Sequence, residues 1–175
     1  MISTPKKFIE GLDHGDQGRP RHYPYIEDYG DLLFYIQRNQ NLNAVIYEIN
    51  YQSGLINLND PMKIHWLKYG ENDLVVQQEL NIIQKKLAYG YSHQVINHEL
   101  LIFQFVSYED MKFYIAKNSD GRFRVFFSWH GQNVELAYIY IHAEDMGVFP
   151  QVKFAEFFGT ISSTKELFYK KLKLG

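Results

Sequence analysis

The 175-residue chain has no cysteine, which excludes disulfides, thiolate metal sites and a cysteine nucleophile. The same absence leaves the compartment open, since a Cys-free chain suits reducing and oxidising surroundings alike. No run approaches the roughly 18 consecutive apolar residues of a spanning helix, so no membrane span is expected. The start, Met1 to Lys7, carries charge without an apolar stretch behind it, so no signal peptide is read. The expected location is cytoplasmic, or periplasmic if a leader has been removed. Neither sign of charge dominates, with 18 Lys and Arg against 20 Asp and Glu. That balance argues against affinity built on a basic face laid over nucleic acid or anionic lipid. Phosphate cradles of the GxxxxGK and GxGxxG types are missing, as is a GxSxG elbow. Nucleotide binding through a glycine-rich loop and ordinary serine hydrolysis therefore drop out.

Aromatics are what the chain has in excess: 13 Phe, 14 Tyr and 2 Trp, 17% of the residues. Such side chains favour pleated, half-buried surfaces, so the first reading is a β core with Tyr rims. Residues 1–31 are polar, rich in Gly, Asp, Arg and His, and without sustained period, which reads as a loose N-terminal arm. Residues 32–175 read as a single β-rich domain.

Leu32 to Arg38 and Asn43 to Tyr51 are strand-like runs joined by Asn39–Leu42, a connection of hairpin length. Lys63 to Tyr69 is a further strand. The period then changes: Val76, Leu80, Ile83 and Leu87 fall on one helical stripe. Asn72 or Asp73 would cap that helix, and Gly90 would take the left-handed position after its end. Later, side-chain parity fixes two turns. A three-residue loop, Ser119-Asp120-Gly121, pairs Asn118 with Arg122 and sets Phe113 opposite Phe127. A two-residue Gly131-Gln132 turn then sets Trp129 opposite Val134 and Phe127 opposite Leu136. Val152 to Phe158 and Leu167 to Leu174 complete about eight or nine strands with one packed α-helix. The fold expected is mainly β: an antiparallel sandwich or partly closed barrel.

Several runs carry a family resemblance. They are Leu33-Phe34-Tyr35-Ile36-Gln37-Arg38, Val45-Ile46-Tyr47-Glu48, His65-Trp66-Leu67-Lys68-Tyr69, Ile83 to Gly90, and Phe149 to Phe154. In order and spacing the chain resembles a bacterial family catalogued as domain of unknown function number 4833. The resemblance implies one compact domain and brings with it no activity, cofactor or catalytic residue. The sequence departs from the family at Lys85, where Arg is usual, and at Asn39, where Ser is common.

Seven histidines include His93 and His98, whose five-residue spacing fits neither helical nor alternate-strand ligation. No metal site and no cofactor are expected. The polar set that stands out is Tyr35, Gln37, Glu48, His65, Lys86 and Tyr89. Pairing Arg38 with Asn43 puts Leu33 opposite Glu48, with Tyr35 and Gln37 on the same face. A Glu among Tyr and Leu should seek a cation, with His65 or Lys86 as its partner. The leading expectation is a non-enzymatic module that binds a small amphipathic ligand or a protein partner. One alternative is an enzyme using Glu48 with His65 or Lys86 as an acid–base pair. The other is a structural partner-binding domain whose core its own side chains fill. Lys165, Lys170, Lys171 and Lys173 read as guards on an edge strand rather than a nucleic-acid patch. Composition fixes neither the ligand nor the oligomeric state.

Overall fold

The computed structural model describes residues 26–38, 43–69, 75–146 and 149–173. Most of the expected arm, residues 1–25, and the Asn39–Leu42 connection lie outside them. Thirteen strands are present among the described residues. They are β1 (Leu32–Arg38), β2 (Ala44–Ile49), β3 (Tyr51–Gln52), β4 (Leu55–Ile56), β5 (Met62–Tyr69), β6 (Val75–Glu79) and β7 (Tyr91–Asn97) in the first half. The second half supplies β8 (Leu100–Phe105), β9 (Tyr108–Lys117), β10 (Phe123–Trp129), β11 (Gln132–Met146), β12 (Phe149–Ile161) and β13 (Leu167–Lys173). Apart from the small β3–β4 hairpin, all join one sheet in the order β6-β5-β2-β1-β11-β10-β9-β8-β7, with β12 and β13 added beyond β11.

The fold is mainly β, as expected, but the sheet is mixed rather than purely antiparallel. β1 runs parallel to β11, with Tyr35 opposite Tyr138 and Gln37 opposite Tyr140. β11 is 15 residues long, which lets it pair with β10 through its first residues and with β1 through its middle. A strand inside a parallel pair is covered on both faces, so an unbroken apolar run suits it. Leu32 to Ile36 fit this, being buried without interruption.

The sheet curls into a half-barrel because aromatic rings of distant strands meet inside it. Phe34 of β1 stacks on Phe103 of β8 at 6.2 Å, and Tyr47 of β2 meets Phe105 edge-on at 5.8 Å. Phe113 and Phe127 continue the cluster at 5.9 Å. Each such pair adds about 1 kcal/mol beyond the burial of its area. The opposite face carries a second cluster of Leu32, Tyr35, Ile46, Tyr138, Tyr140 and Phe158, against which Ile26 and Tyr29 pack.

The β9–β10 hairpin follows the parity argument closely. Asn118 N–H donates to the Arg122 carbonyl at 2.8 Å, Gly121 is left-handed at φ +76°, and Ile115 lies opposite Val125. The next turn is shifted by one residue. Trp129 pairs with Gln132 and Phe127 with Val134, so His130 and Gly131 form the loop. Both have positive φ, the pair of left-handed residues that a type I′ turn uses to match strand twist.

The long helix is corrected. Residues 75–79 are strand β6, which pairs along β5 from Val75 opposite Tyr69 to Glu79 opposite His65. Helix α1 is only Ile82–Gln84, and it runs into a π turn at Lys85–Tyr89. Val76 and Ile83 of the supposed stripe are 56% and 67% exposed. Adjacent β-branched residues beside an open strand edge pair more readily than they coil, and tertiary pairing overrides a short periodic pattern. The cap is Asn81; Asn72 and Asp73 lie outside the described residues. Gly90 is not left-handed. It is required because a Cβ there would sit 1.8 Å from the Lys85 carbonyl oxygen.

Candidate functional site

The register of β2, β5 and β6 builds the site. Glu48 lies opposite Lys63 and Ile46 opposite His65, while His65 in turn lies opposite Glu79. Strand alternation then puts Glu48, Lys63, His65 and Glu79 on one face. A cleft of about 790 Å³ opens there. It continues around the start of β5, which β6 does not cover, to Asp60, Lys85, Tyr91 and His93.

Glu48 Oε1 approaches His65 Nδ1 at 3.4 Å. Burial of the His65 ring lowers its pKa below 6.5, and the opposing pull of Glu48 is the smaller effect. His65 therefore stands as a neutral imidazole beside a carboxylate near neutral pH. The Tyr29 hydroxyl also hydrogen-bonds to Glu48, and burial followed by the Glu48 charge holds that phenol protonated, well above its usual range. Tyr29 is fixed by its own neighbours. Arg122 grips Asp28 through both Nη atoms at 2.7 and 2.5 Å and also donates to the Tyr29 carbonyl. Arg124 Nη1 adds contacts to Asp28 at 3.1 Å and to the Leu32 carbonyl at 2.9 Å.

The far wall is the seam of the half-barrel, where β7 comes near β5 and, among the described residues, no backbone ladder joins the two. Tyr91 Oη accepts from the Met62 N–H at 3.0 Å and donates to Asp60 Oδ1 at 2.8 Å. His93 Nε2 donates to the Leu58 carbonyl at 2.8 Å. These side chains bridge strand edges that would otherwise leave polar backbone groups unmatched.

Of the six residues singled out from the sequence, the structure brings Glu48 and His65 together at the cleft. Tyr35 is buried on the same sheet face, stacked on Tyr138 at 5.0 Å, and Gln37 is buried beside it in β1. A bulge between Leu32 and Phe34 places Leu32, rather than Leu33, opposite Glu48. Tyr89 packs edge-on against Trp66 at 5.4 Å, and its carbonyl accepts from the Tyr47 hydroxyl at 2.6 Å. It thus packs, half-buried, against the core rather than lining the cleft. Lys86 is exposed on the π turn, and it is Lys85 that lines the cleft. Tyr29, Lys63, Asp60 and Tyr91 were missed. Lys63 was accessible through alternation with His65, whereas Tyr29 carried no period and arrives only through the Asp28–Arg122 contact.

Among the described residues, no helix is long and apolar enough to cross a membrane. The family model described as a domain of unknown function (DUF4833) matches residues 34–171. No curated protein and no solved structure matches the chain.

Proposed function

The chain belongs to the DUF4833 family of domains of unknown function, and we propose that it is a binding module whose cleft takes a small polar ligand carrying charges of both signs. The carrying observation is the lining itself. Glu48, Asp60 and Glu79 face the same space as Lys63 and Lys85, with neutral His65 among them. Groups of both signs, with Glu48, Lys63 and Glu79 set on strands and with Glu48 and Asp60 hydrogen-bonded by Tyr29 and Tyr91, favour a ligand whose own charges interdigitate with them. An amphipathic ligand inside the barrel fits less well. The interior rings Phe34, Tyr47, Phe103, Phe113 and Phe127 are buried to 1% exposure or less and fill the space with one another.

Native mass spectrometry of the purified protein beside a denaturing spectrum tests the proposal. A small polar compound lost on denaturation, and absent from Glu48→Gln/Lys63→Gln, is the expected result. Retention of an apolar compound by both proteins would overturn it.

A second reading rests on the Glu48–His65 contact. A neutral imidazole beside a carboxylate can accept a proton from a bound substrate, with Glu48 stabilising the imidazolium formed. Turnover of a compound bound in the cleft, lost in His65→Gln while binding persists, would favour this reading over simple binding.

A further inference from the structure

The turn between β6 and β7 displays two isoleucines that nothing in the site uses. Ile82 and Ile83 are 71% and 67% exposed, while Leu80 just before them is 5% exposed and anchors the segment in the core. Two adjacent exposed aliphatic residues form a small contiguous apolar patch, a surface that can serve as a contact site when its presentation is fixed. Here it is fixed. Asn81 Oδ1 accepts from the Gln84 N–H at 2.8 Å, and Gln84 Oε1 accepts from the Asn81 N–H at 3.0 Å. The Trp66 indole N–H donates to that same Gln84 oxygen at 3.2 Å, tying the turn to β5. Lys85 N–H closes on the Asn81 carbonyl at 3.1 Å.

The backbone donors that flank this apolar tip, at Asn81, Gln84 and Lys85, are already satisfied, which lowers the cost of moving it out of water, and the Ile82 and Ile83 N–H groups, the first of the helix, are left to be met by headgroup oxygens. The next two charged residues, Lys85 and Lys86, are both exposed, and among the described residues neither has an acidic partner. We propose that this turn is a membrane-docking tip: Ile82 and Ile83 enter the interfacial region of a bilayer, and Lys85 and Lys86 engage anionic headgroups. Long lysine stems can lie along the acyl boundary while their ammonium groups stay at headgroup level. Charge complementarity selects an anionic lipid surface over a neutral one. The chain's net charge of -2 does not oppose this, since charges farther away than about 8 Å are largely screened at physiological salt. Lys85 also lines the cleft, whereas Ile82, Ile83 and Lys86 do not, so substitutions at these three read the tip apart from whatever occupies the cleft.

Co-sedimentation of the full chain with phosphatidylcholine vesicles, with and without phosphatidylglycerol, is the test. Wild-type protein should pellet with the anionic vesicles, less so at high salt. Ile82→Ser/Ile83→Ser should weaken binding by about tenfold or more, the loss expected for two large aliphatic side chains. Lys86→Gln should weaken it several-fold on anionic vesicles only. Ile83→Trp, which keeps the tip apolar, should still bind and show a blue-shifted emission on vesicles. Wild-type protein that stays in the supernatant with both vesicle types would overturn the proposal. So would binding that the Ile82→Ser/Ile83→Ser change leaves untouched. A dimer seen by analytical ultracentrifugation, lost in that double variant and accompanied by no vesicle binding, would also overturn it and assign the tip to a second copy of the chain.

Discussion

Glu48 and His65 sit diagonally across the β2–β5 pair, Oε1 to Nδ1 at 3.4 Å, with the imidazole the more buried of the two. The carboxylate alone would favour a protonated ring. Burial outweighs it, and the folded-state pKa of His65 falls below 6.5.

Stability should therefore depend on pH through this residue. As pH drops through about 6.5, the unfolded chain binds a proton at His65 that the folded chain refuses, so stability falls until the folded-state value is passed. Urea unfolding at steps between neutral pH and the carboxylate range should show that decline. His65→Gln should remove this component of the slope; an unchanged slope would assign it elsewhere.

Asp28 holds Arg122 and Arg124 in one cluster at 14% side-chain exposure. Asp28→Asn leaves two guanidinium groups without their shared carboxylate. The expected loss is about 3 kcal/mol, as for other half-broken buried ion pairs. Because the same cluster seats Tyr29, the variant should also weaken any ligand bound beside Glu48. Chemical denaturation and a binding titration of the same variant check both effects.

Gly90 has no room for a side chain. Gly90→Ala forces a Cβ against the Lys85 carbonyl and should cost about 2–3 kcal/mol, the range of overpacked sites. Gly30→Ala, with nothing within 4 Å, is the matched control and should leave the unfolding midpoint almost unchanged.

Tyr91→Phe removes the hydroxyl that bridges Met62 and Asp60 across the seam. The loss should be about 1–2 kcal/mol, because the Met62 N–H loses its acceptor. Amide exchange should rise at Met62 first. Equal exchange in the variant would mean that the bridge does not hold the seam.

What the sequence disclosed followed how local each signal was. The β9–β10 hairpin was legible because parity and one left-handed glycine, Gly121, constrain the same loop. At Gly131 parity survived and position did not, since His130 adopts positive φ without being glycine. The parallel contact of β1 with β11 left no local trace beyond the two-sided apolarity of its strands. Residues 75–89 misled because a helical stripe and an edge strand share residues there, and only the open edge of β5 decides between them. In the site, Glu48 and His65 were found as polar residues within apolar strands. Lys85 was passed over for Lys86 because the π turn re-aims both, and Tyr29 lay in a stretch with no pattern to read.

The most direct test of the cleft as a binding site is a thermal-shift panel of small zwitterionic compounds. Wild-type protein and Glu48→Gln/Lys63→Gln would be run side by side. At least one zwitterion should raise the melting temperature of the wild type and leave the double variant unmoved. No shift with any zwitterion, or equal shifts in both proteins, would contradict it.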